Sequence, residues 1–363
     1  MRFELPSYKH PDFETEPFVS APEVIAIPVV IQGVAPDNYH ATTIFPEYFK
    51  IDGKWVLARE SRMDCVVVIK SSSEVEIKEF RRLDVGDKVV IGRTEDASDG
   101  IYVYTGGFKS AGEIDETFAF RTGRSRETSY SRDYDRLYDV LKYERDNGYI
   151  TWVLGPAVTF DSDSRKAMVS LIEHGFVNVI FGGNALATHD LEGALFKTAL
   201  GQDIYTQVSI PNGHYHHLDV INKARGIGSL EKLISDGHIQ DGIMHACIMN
   251  DIPFVLAGSI RDDGPLPSVI RDVYDSQDTM RKHIKKSTTV IGLATQLHSI
   301  ATGNMTPAYQ VVNEEVRPVY IYSVDVSEFA VNKLRDRGTL EVTSIVTNIQ
   351  DFLVNLERNL IKK

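Results

Sequence analysis

From Tyr149 onward, short apolar runs rich in β-branched residues alternate with segments of helical spacing, and this alternation restricts the chain more than any other feature. Ile150-Thr151-Trp152-Val153-Leu154, Val177 to Phe181, Pro253 to Ala257, Thr289 to Ala294, Val319 to Val324 and Ser344 to Thr347 read as strands, each followed by a helical stretch. Strands and helices in that order build a parallel sheet with helices packed on its faces, and a strand buried on both sides reads as an unbroken apolar run. Open sheets of this kind bind ligands in the crevice at the carboxyl ends of their strands. The residues just past each run are therefore the first candidates for chemistry.

Upstream the pattern changes. Ile25 to Ile31, Cys65 to Ile69, Lys88 to Ile91 and Ile101 to Tyr104 are short strands separated by turn signals, and Asp52-Gly53 between Phe49-Lys50-Ile51 and Trp55-Val56-Leu57 is a hairpin turn that needs positive φ. The expected class is α/β, with a β-rich domain over 1–107, a charged helical connector over 108–148 carrying Arg121, Arg124 and Arg126, and the parallel sheet over 149–363. At 363 residues there is material for two cores. A net charge of −12 without a basic block argues against a nucleic-acid partner. Cys65 and Cys247 are too few and too far apart for a disulfide framework or a CxxC zinc site, and each reads as a small buried hydrophobe. The polar stretch Met1 to Glu16 has no apolar core of a signal peptide, and no window reaches the length of a membrane span. A cytoplasmic protein acting on a small molecule, with no nucleic-acid or membrane partner, is the expectation.

Four strand ends carry polar groups. Phe254 to Ala257 empties into Gly258-Ser259-Ile260-Arg261-Asp262-Asp263; these charges either serve a ligand, or Arg261 pairs with Asp262 while Asp263 caps a helix. Phe181-Gly182-Gly183-Asn184-Ala185 offers glycines for close approach and a helix N-terminus suited to an anion, or merely a cap. Thr295, Gln296, His298 and Ser299 follow another strand, and Asp325 stands where such sheets hold ribose hydroxyls, or where a helix needs its N-cap. His214, His216 and His217 form the densest imidazole cluster, and an extended segment would put His214 and His216 on one face. No spacing announces a third ligand, so no metal is expected; acid–base work or plain surface histidines are the readings left. Walker A, GxSxG and GxGxxG patterns are absent.

Taken together, Gly155-Pro156-Ala157, Gly183 to Asp190, Gly213-His214-Tyr215-His216-His217-Leu218, Phe254 to Pro267 and Leu297 to Met305 resemble the LOR/SDH family, which includes archaeal ornithine cyclodeaminases and the C-terminal half of cyanobacterial arginine dihydrolase/ornithine cyclodeaminases. The resemblance implies a Rossmann-like parallel sheet of the deoxyhypusine-synthase type behind a smaller β-rich N-terminal domain. It also implies bound NAD and conversion of L-ornithine to L-proline and ammonia with the cofactor recycled in each turnover. Cofactor contacts are implied at Asn184, Ala185, Asp263, Thr295, Gln296, Leu297, His298, Ser299 and Asp325, and at Asn348, where the family is expected to carry Asp. Chemistry rather than resemblance nominates Asp262, His214 or His216 as the base and Arg261 as a fork for the substrate carboxylate. An opine-type or amino-acid dehydrogenase that releases NADH, and a non-catalytic sensor of NAD or amino acids, are the alternatives. By analogy with related sheets that build sites between subunits, a homo-oligomer is expected.

Overall fold

The computed structural model describes residues 3–108, 131–262, 264–327 and 340–362. Its N-terminal part holds β1 (Ile25–Pro28), β2 (Glu47–Ile51), β3 (Lys54–Leu57), β4 (Glu60–Ser61), β5 (Val66–Ser71), β6 (Glu74–Lys78), β7 (Lys88–Ile91) and β8 (Ile101–Val103). They form one antiparallel sheet in the order β1-β7-β5-β6 and a second in the order β3-β2-β8. The β2–β3 hairpin turns at Asp52 and Gly53 with φ of 49° and 78°, the left-handed pair that its sequence requires. Consecutive Val66, Val67 and Val68 are all buried, so β5 is covered on both faces.

The larger part begins with helix α1 (Ser131–Asn147) and strand β9 (Ile150–Leu154), then α2 (Ser162–Glu173), β10 (Val179–Gly183), α3 (Asn184–Phe196), β11 (Thr198–Ala199), β12 (Gln202–Asp203), α4 (His216–Ile227), α5 (Leu230–Ser235) and α6 (Ile243–Met249). It continues through β13 (Phe254–Ala257), β14 (Val269–Ile270), α7 (Val273–Ile284), β15 (Thr289–Leu293), α8 (Gln296–Met305), β16 (Tyr309–Val312), β17 (Glu315–Pro318), β18 (Tyr320–Asp325), β19 (Glu341–Val346) and α9 (Ile349–Leu360). Seven strands make one parallel sheet, β14-β13-β10-β9-β15-β18-β19. The chain starts in the middle at β9, winds outward to β14, then crosses back to the other flank of β9. The order therefore reverses between β9 and β15, and that is where such a sheet opens a crevice. Side chains alternate across the sheet as the pleat demands: Trp152 and Leu154 join Leu137, Leu171 and Phe352 in one core, while Val153 joins Phe181, Met280, Ile284 and Met305 in the other.

The fold is the α/β class that the alternation predicts, with shifted edges. The expected helix from Leu186 to Leu200 stops at Phe196, where Lys197 turns left-handed (φ 56°) and hands over to β11. The histidine segment is not extended: Gly213–Tyr215 is a turn of 3₁₀ helix and His216 opens α4. Gly213 lies so close to the Gly201 backbone that a Cβ there would come within 2.3 Å of the Gly201 carbonyl oxygen, and Asn212 is left-handed at φ 62°. That turn geometry replaces the alternation on which a shared face for His214 and His216 depends. The expected Arg121, Arg124 and Arg126 cluster, and the helix expected beyond Ser327, lie outside the described residues.

A third small sheet, β17-β16-β4, pairs Tyr309 with Ser61 and Gln310 with Glu60, so the early and late parts of the chain share a ladder. Tyr309, fully buried, donates its hydroxyl to the Ala58 carbonyl at 2.8 Å, and Glu79 is shared by Arg62 and Arg281 across the same junction. No helix among the described residues is long and apolar enough to cross a membrane.

Candidate active site

Three neighbouring strands, β10, β9 and β15, each run straight into a helical turn at their carboxyl ends, and α3 and α8 thereby begin beside the reversal crevice with the free amides of a helix N-terminus. The walls meet closely there. A Cβ on Gly155 would sit 1.9 Å from the Ala294 carbonyl oxygen, and one on Gly183 would sit 3.1 Å from Cε1 of His298. Ala294 itself is held left-handed at φ 48°, an unfavourable conformation for a residue with a side chain, and such positions gather at ligand sites. Because the obstacle at Gly155 is backbone, Gly155→Ala is expected to force β9 and β15 apart and cost about 1–3 kcal/mol, read from a urea melt. An unchanged midpoint would mean that the two strand ends are not in contact.

His298 reaches from α8 across to Gly183 and is largely enclosed, and burial pushes its imidazole below the ordinary value, an effect partly offset by the nearby Asp262 carboxylate. Asp262 is held in its loop by the Ser259 amide, which donates to Oδ2 at 2.9 Å. Asn184, first residue of α3, accepts the Leu266 amide at 3.0 Å and so ties the loop after β13 to the end of β10. Ala185 is exposed on the first turn of α3, as are Gln296 and Leu297 on that of α8. Ser299 is buried against Gly292 of β15, which lacks the side chain that would block it. Ile260, Leu297 and Val326, at 108%, 71% and 66% exposure, stand at the same sheet edge as apolar surfaces suited to a flat ring. The structure thus brings together Asn184, Ala185, Asp262 and the Thr295-to-Ser299 turn.

Other expected residues stand elsewhere or serve caps. Asp325, at the end of β18, accepts the Ser327 amide at 2.9 Å, and Asn348 caps α9 by accepting the Gln350 amide at 2.8 Å. Arg261 is exposed beside the crevice and its amide donates to Ser259 Oγ; Asp263 lies outside the described residues. Replacing Asn184 with Ala is expected to loosen the loop and raise the Kd for a dinucleotide about 10-fold, measured by calorimetry.

His214 and His216 sit at the opposite end of α3, about 20 Å along its 13 residues from Asn184. There His216 Nδ1 lies 2.8 Å from Thr198 Oγ1, which donates to the fully buried Glu192, and His189 contacts the same carboxylate at 2.8 Å. Burial would raise the Glu192 carboxyl, but hydrogen bonds from His189, the Gly201 amide and Thr198 hold it below its ordinary value. Its neighbour Asp190 accepts Arg165 Nε at 2.7 Å and the Ile243 and Met244 amides at the start of α6. The isolated motifs do not point to Arg165 or Glu192; the available signal is three polar residues, His189, Asp190 and Glu192, inside an otherwise apolar helix, where each needs a partner. Arg225, in the last turn of α4, reaches instead the loop after β13, its Nη1 2.7 Å from where Gly264 would carry a Cβ. Among the described residues no group of three His, Cys, Asp or Glu is placed to hold a metal ion, and both cysteines are buried and free.

A doubly wound sheet with glycine-lined strand ends at its reversal point defines a Rossmann-type protein. The family model described as "Arginine dihydrolase ArgZ-like, C-terminal, Rossmann fold" matches residues 137–356, and that for the first region of the same C-terminal part matches 46–127; the chain belongs to this family. It is 38% identical to an ornithine cyclodeaminase of Methanopyrus kandleri over 94% of this chain and 79% of that protein. To the bifunctional arginine dihydrolase/ornithine cyclodeaminase AgrE of Nostoc it is 35% identical over 92% of this chain and 46% of that one. The crystal structure of a LOR/SDH protein from Methanococcus maripaludis superposes with a TM-score of 0.83 at 34% identity, over 94% of this chain and 99% of that one. A ternary complex of AgrE with ornithine and NAD+ superposes with a TM-score of 0.59 at 33% identity, over 94% and 46%. These likenesses bear out the LOR/SDH resemblance carried by the motifs.

Proposed function

We propose that this protein converts L-ornithine to L-proline and ammonia with NAD, oxidising and re-reducing the substrate within one turnover. The observation that carries the reading is the meeting of His298, Asp262 and glycine-lined strand ends in the reversal crevice of a chain 38% identical to an ornithine cyclodeaminase. The site fits the cofactor on its own terms: glycines let backbone approach a diphosphate, helix N-termini supply free amides, and Ile260 and Leu297 offer apolar contact. When bound, NAD supplies a hydride acceptor and later the donor of the same hydride.

The residues divide the remaining work. The α-ammonium must lose a proton before hydride can leave its carbon, and His298, kept neutral by burial, is the imidazole placed for this. That assignment replaces His214 and His216, which stand about 20 Å away along α3. The nearby Asp262 carboxylate favours the cation that the imidazole becomes, and exposed Arg261 supplies a fork for the substrate carboxylate. Asp325 is the carboxylate available for a ribose hydroxyl. Substrate and products stand at the same oxidation level, so each turnover leaves the cofactor as it began.

Purified protein given L-ornithine and catalytic NAD is expected to release ammonia and L-proline one for one, with no net change in nicotinamide absorbance. Accumulating NADH would indicate an amino-acid dehydrogenase, and ligand binding without ammonia a sensor; either result overturns the reading.

A further inference from the structure

Two sheets end beside one another where the β-rich part meets the Rossmann sheet. β6 is an edge of the four-stranded sheet and β4 an edge of β17-β16-β4, and between them lies a cavity of about 510 Å³, a size that takes a small molecule. It stands apart from the reversal crevice, since its walls come from β6, the β4–β16 ladder and Lys285 just past α7. A narrower recess shares Glu60, Ile77 and Lys285 with it and is closed by Arg62 and Arg281.

Charge does not balance at either end. In the recess Arg62 and Arg281 share a single carboxylate, Glu79, while Lys285 takes Glu60 at 3.0 Å. Arg281 is 5% exposed and its Nε has no hydrogen-bond partner, an uncommon state for a buried cation. At the outer rim Lys70 lies 3.4 Å from Glu76 and Arg59 3.3 Å from Glu314, which leaves Glu74 without a cation among the described residues. Positive charge is thus in excess inside and negative charge at the mouth. Gln310 lines the same cavity and is 6% exposed. Its Nε2 donates to the Ser287 carbonyl at 2.7 Å and the Ile284 carbonyl at 3.4 Å, so the amide is held one way round and Oε1 is left as an acceptor with no donor among the described residues.

We propose that this cavity binds a free α-amino acid with a cationic side chain, its carboxylate in the recess beside Arg281 and Lys285 and its side-chain ammonium at Glu74. An inorganic anion would answer the recess but leave Glu74 unpaired, and a simple amine the reverse; a ligand that carries both signs answers both ends. The separation selects within the class. Glu74 stands three residues, roughly 10 Å, along β6 from Ile77 at the recess, too far for an α-ammonium, which falls to Gln310 Oε1 instead. This binding needs neither NAD nor turnover, so its failure and that of the reaction proposed above are separate results.

Calorimetry of the full chain with L-lysine, in the absence of NAD, provides the test. Saturable binding is expected with a Kd below about 1 mM, whereas acetate and pentane-1,5-diamine, which each carry one sign only, should bind at least about 10-fold more weakly. Lys285→Met and Glu74→Gln change exposed side chains that take no part in the crevice, and each is expected to weaken L-lysine about 10-fold with unchanged circular dichroism. His298→Ala, in the crevice, is expected to leave the affinity as it was. The absence of saturable heat up to about 10 mM, equal binding of acetate or the diamine, L-lysine binding that survives both rim and recess substitutions, or its loss in His298→Ala would each overturn the proposal.

Discussion

Asp190→Ala is expected to lower the unfolding free energy by about 3–5 kcal/mol, the cost of removing one partner from a buried ion pair. The substitution strips Arg165 of its 2.7 Å contact and leaves the Ile243 and Met244 amides at the start of α6 without their acceptor. Arg165 keeps Asp241, also at 2.7 Å, but that carboxylate is half-exposed and also bonded to Lys197. Gly242 offers no relief: a Cβ there would meet Arg165 Nη2 at 2.0 Å, so the guanidinium occupies the space a larger residue would take. Against a total stability of about 5–15 kcal/mol, the loss moves a urea midpoint far to the left. The double variant Arg165→Met with Asp190→Leu is expected to recover much of it, since an apolar replacement removes both charges together. A single-variant loss under about 1 kcal/mol would show that this pair does not hold α2, α3 and α6 together.

His298→Ala is expected to reduce kcat for ornithine about 10²–10⁴-fold while leaving NAD bound, the range in which a positioned acid–base group contributes. His298→Asn, which keeps a polar side chain of similar reach over Gly183, separates loss of the proton carrier from loss of shape. The pH dependence gives a second reading. Burial holds the folded-state imidazole below its ordinary value of about 6.5, so on acidification the unfolded chain takes up the proton first. Stability from this group is present above that value and is lost as pH falls towards the depressed one; the wild type should weaken over this window more steeply than His298→Ala. For the same reason the acid limb of kcat/KM, which reports the free enzyme, should lie below about 6.5 in the wild type. Turnover unaffected by either substitution would remove His298 from the reaction.

The sequence showed the sheet but not how its polar groups pair. Trp152, Val153 and Leu154 could be placed on a strand because apolar runs bounded by glycine need no long-range information. The apolar pattern marks β19 only from Ser344, because its first residues, Glu341-Val342-Thr343, alternate polar and apolar at the sheet edge. Whether His214 and His216 share a face depends on the segment being extended, and extended chain and tight turn share a composition of Asn, Gly and His; only the Gly201–Gly213 contact decides between them. Asn348 caps α9, a role its place before Ile349 makes local, whereas the partners of Asp190 and Glu192 lie up to 54 residues away, beyond any local pattern.

The ladder between β4 and β16 bears on the order in which the molecule can be made. Glu60 and Ser61 are synthesised early, but Gln310 and Tyr309, which complete their pairing, leave the ribosome about 250 residues later. At roughly 5–20 residues per second, that strand edge waits on the order of 10–50 s for its mate. Throughout that interval an unfilled edge and the Ala58 carbonyl that Tyr309 will cap are open to other chains. Nascent-chain aggregation should therefore be sensitive to the speed of elongation between these two points.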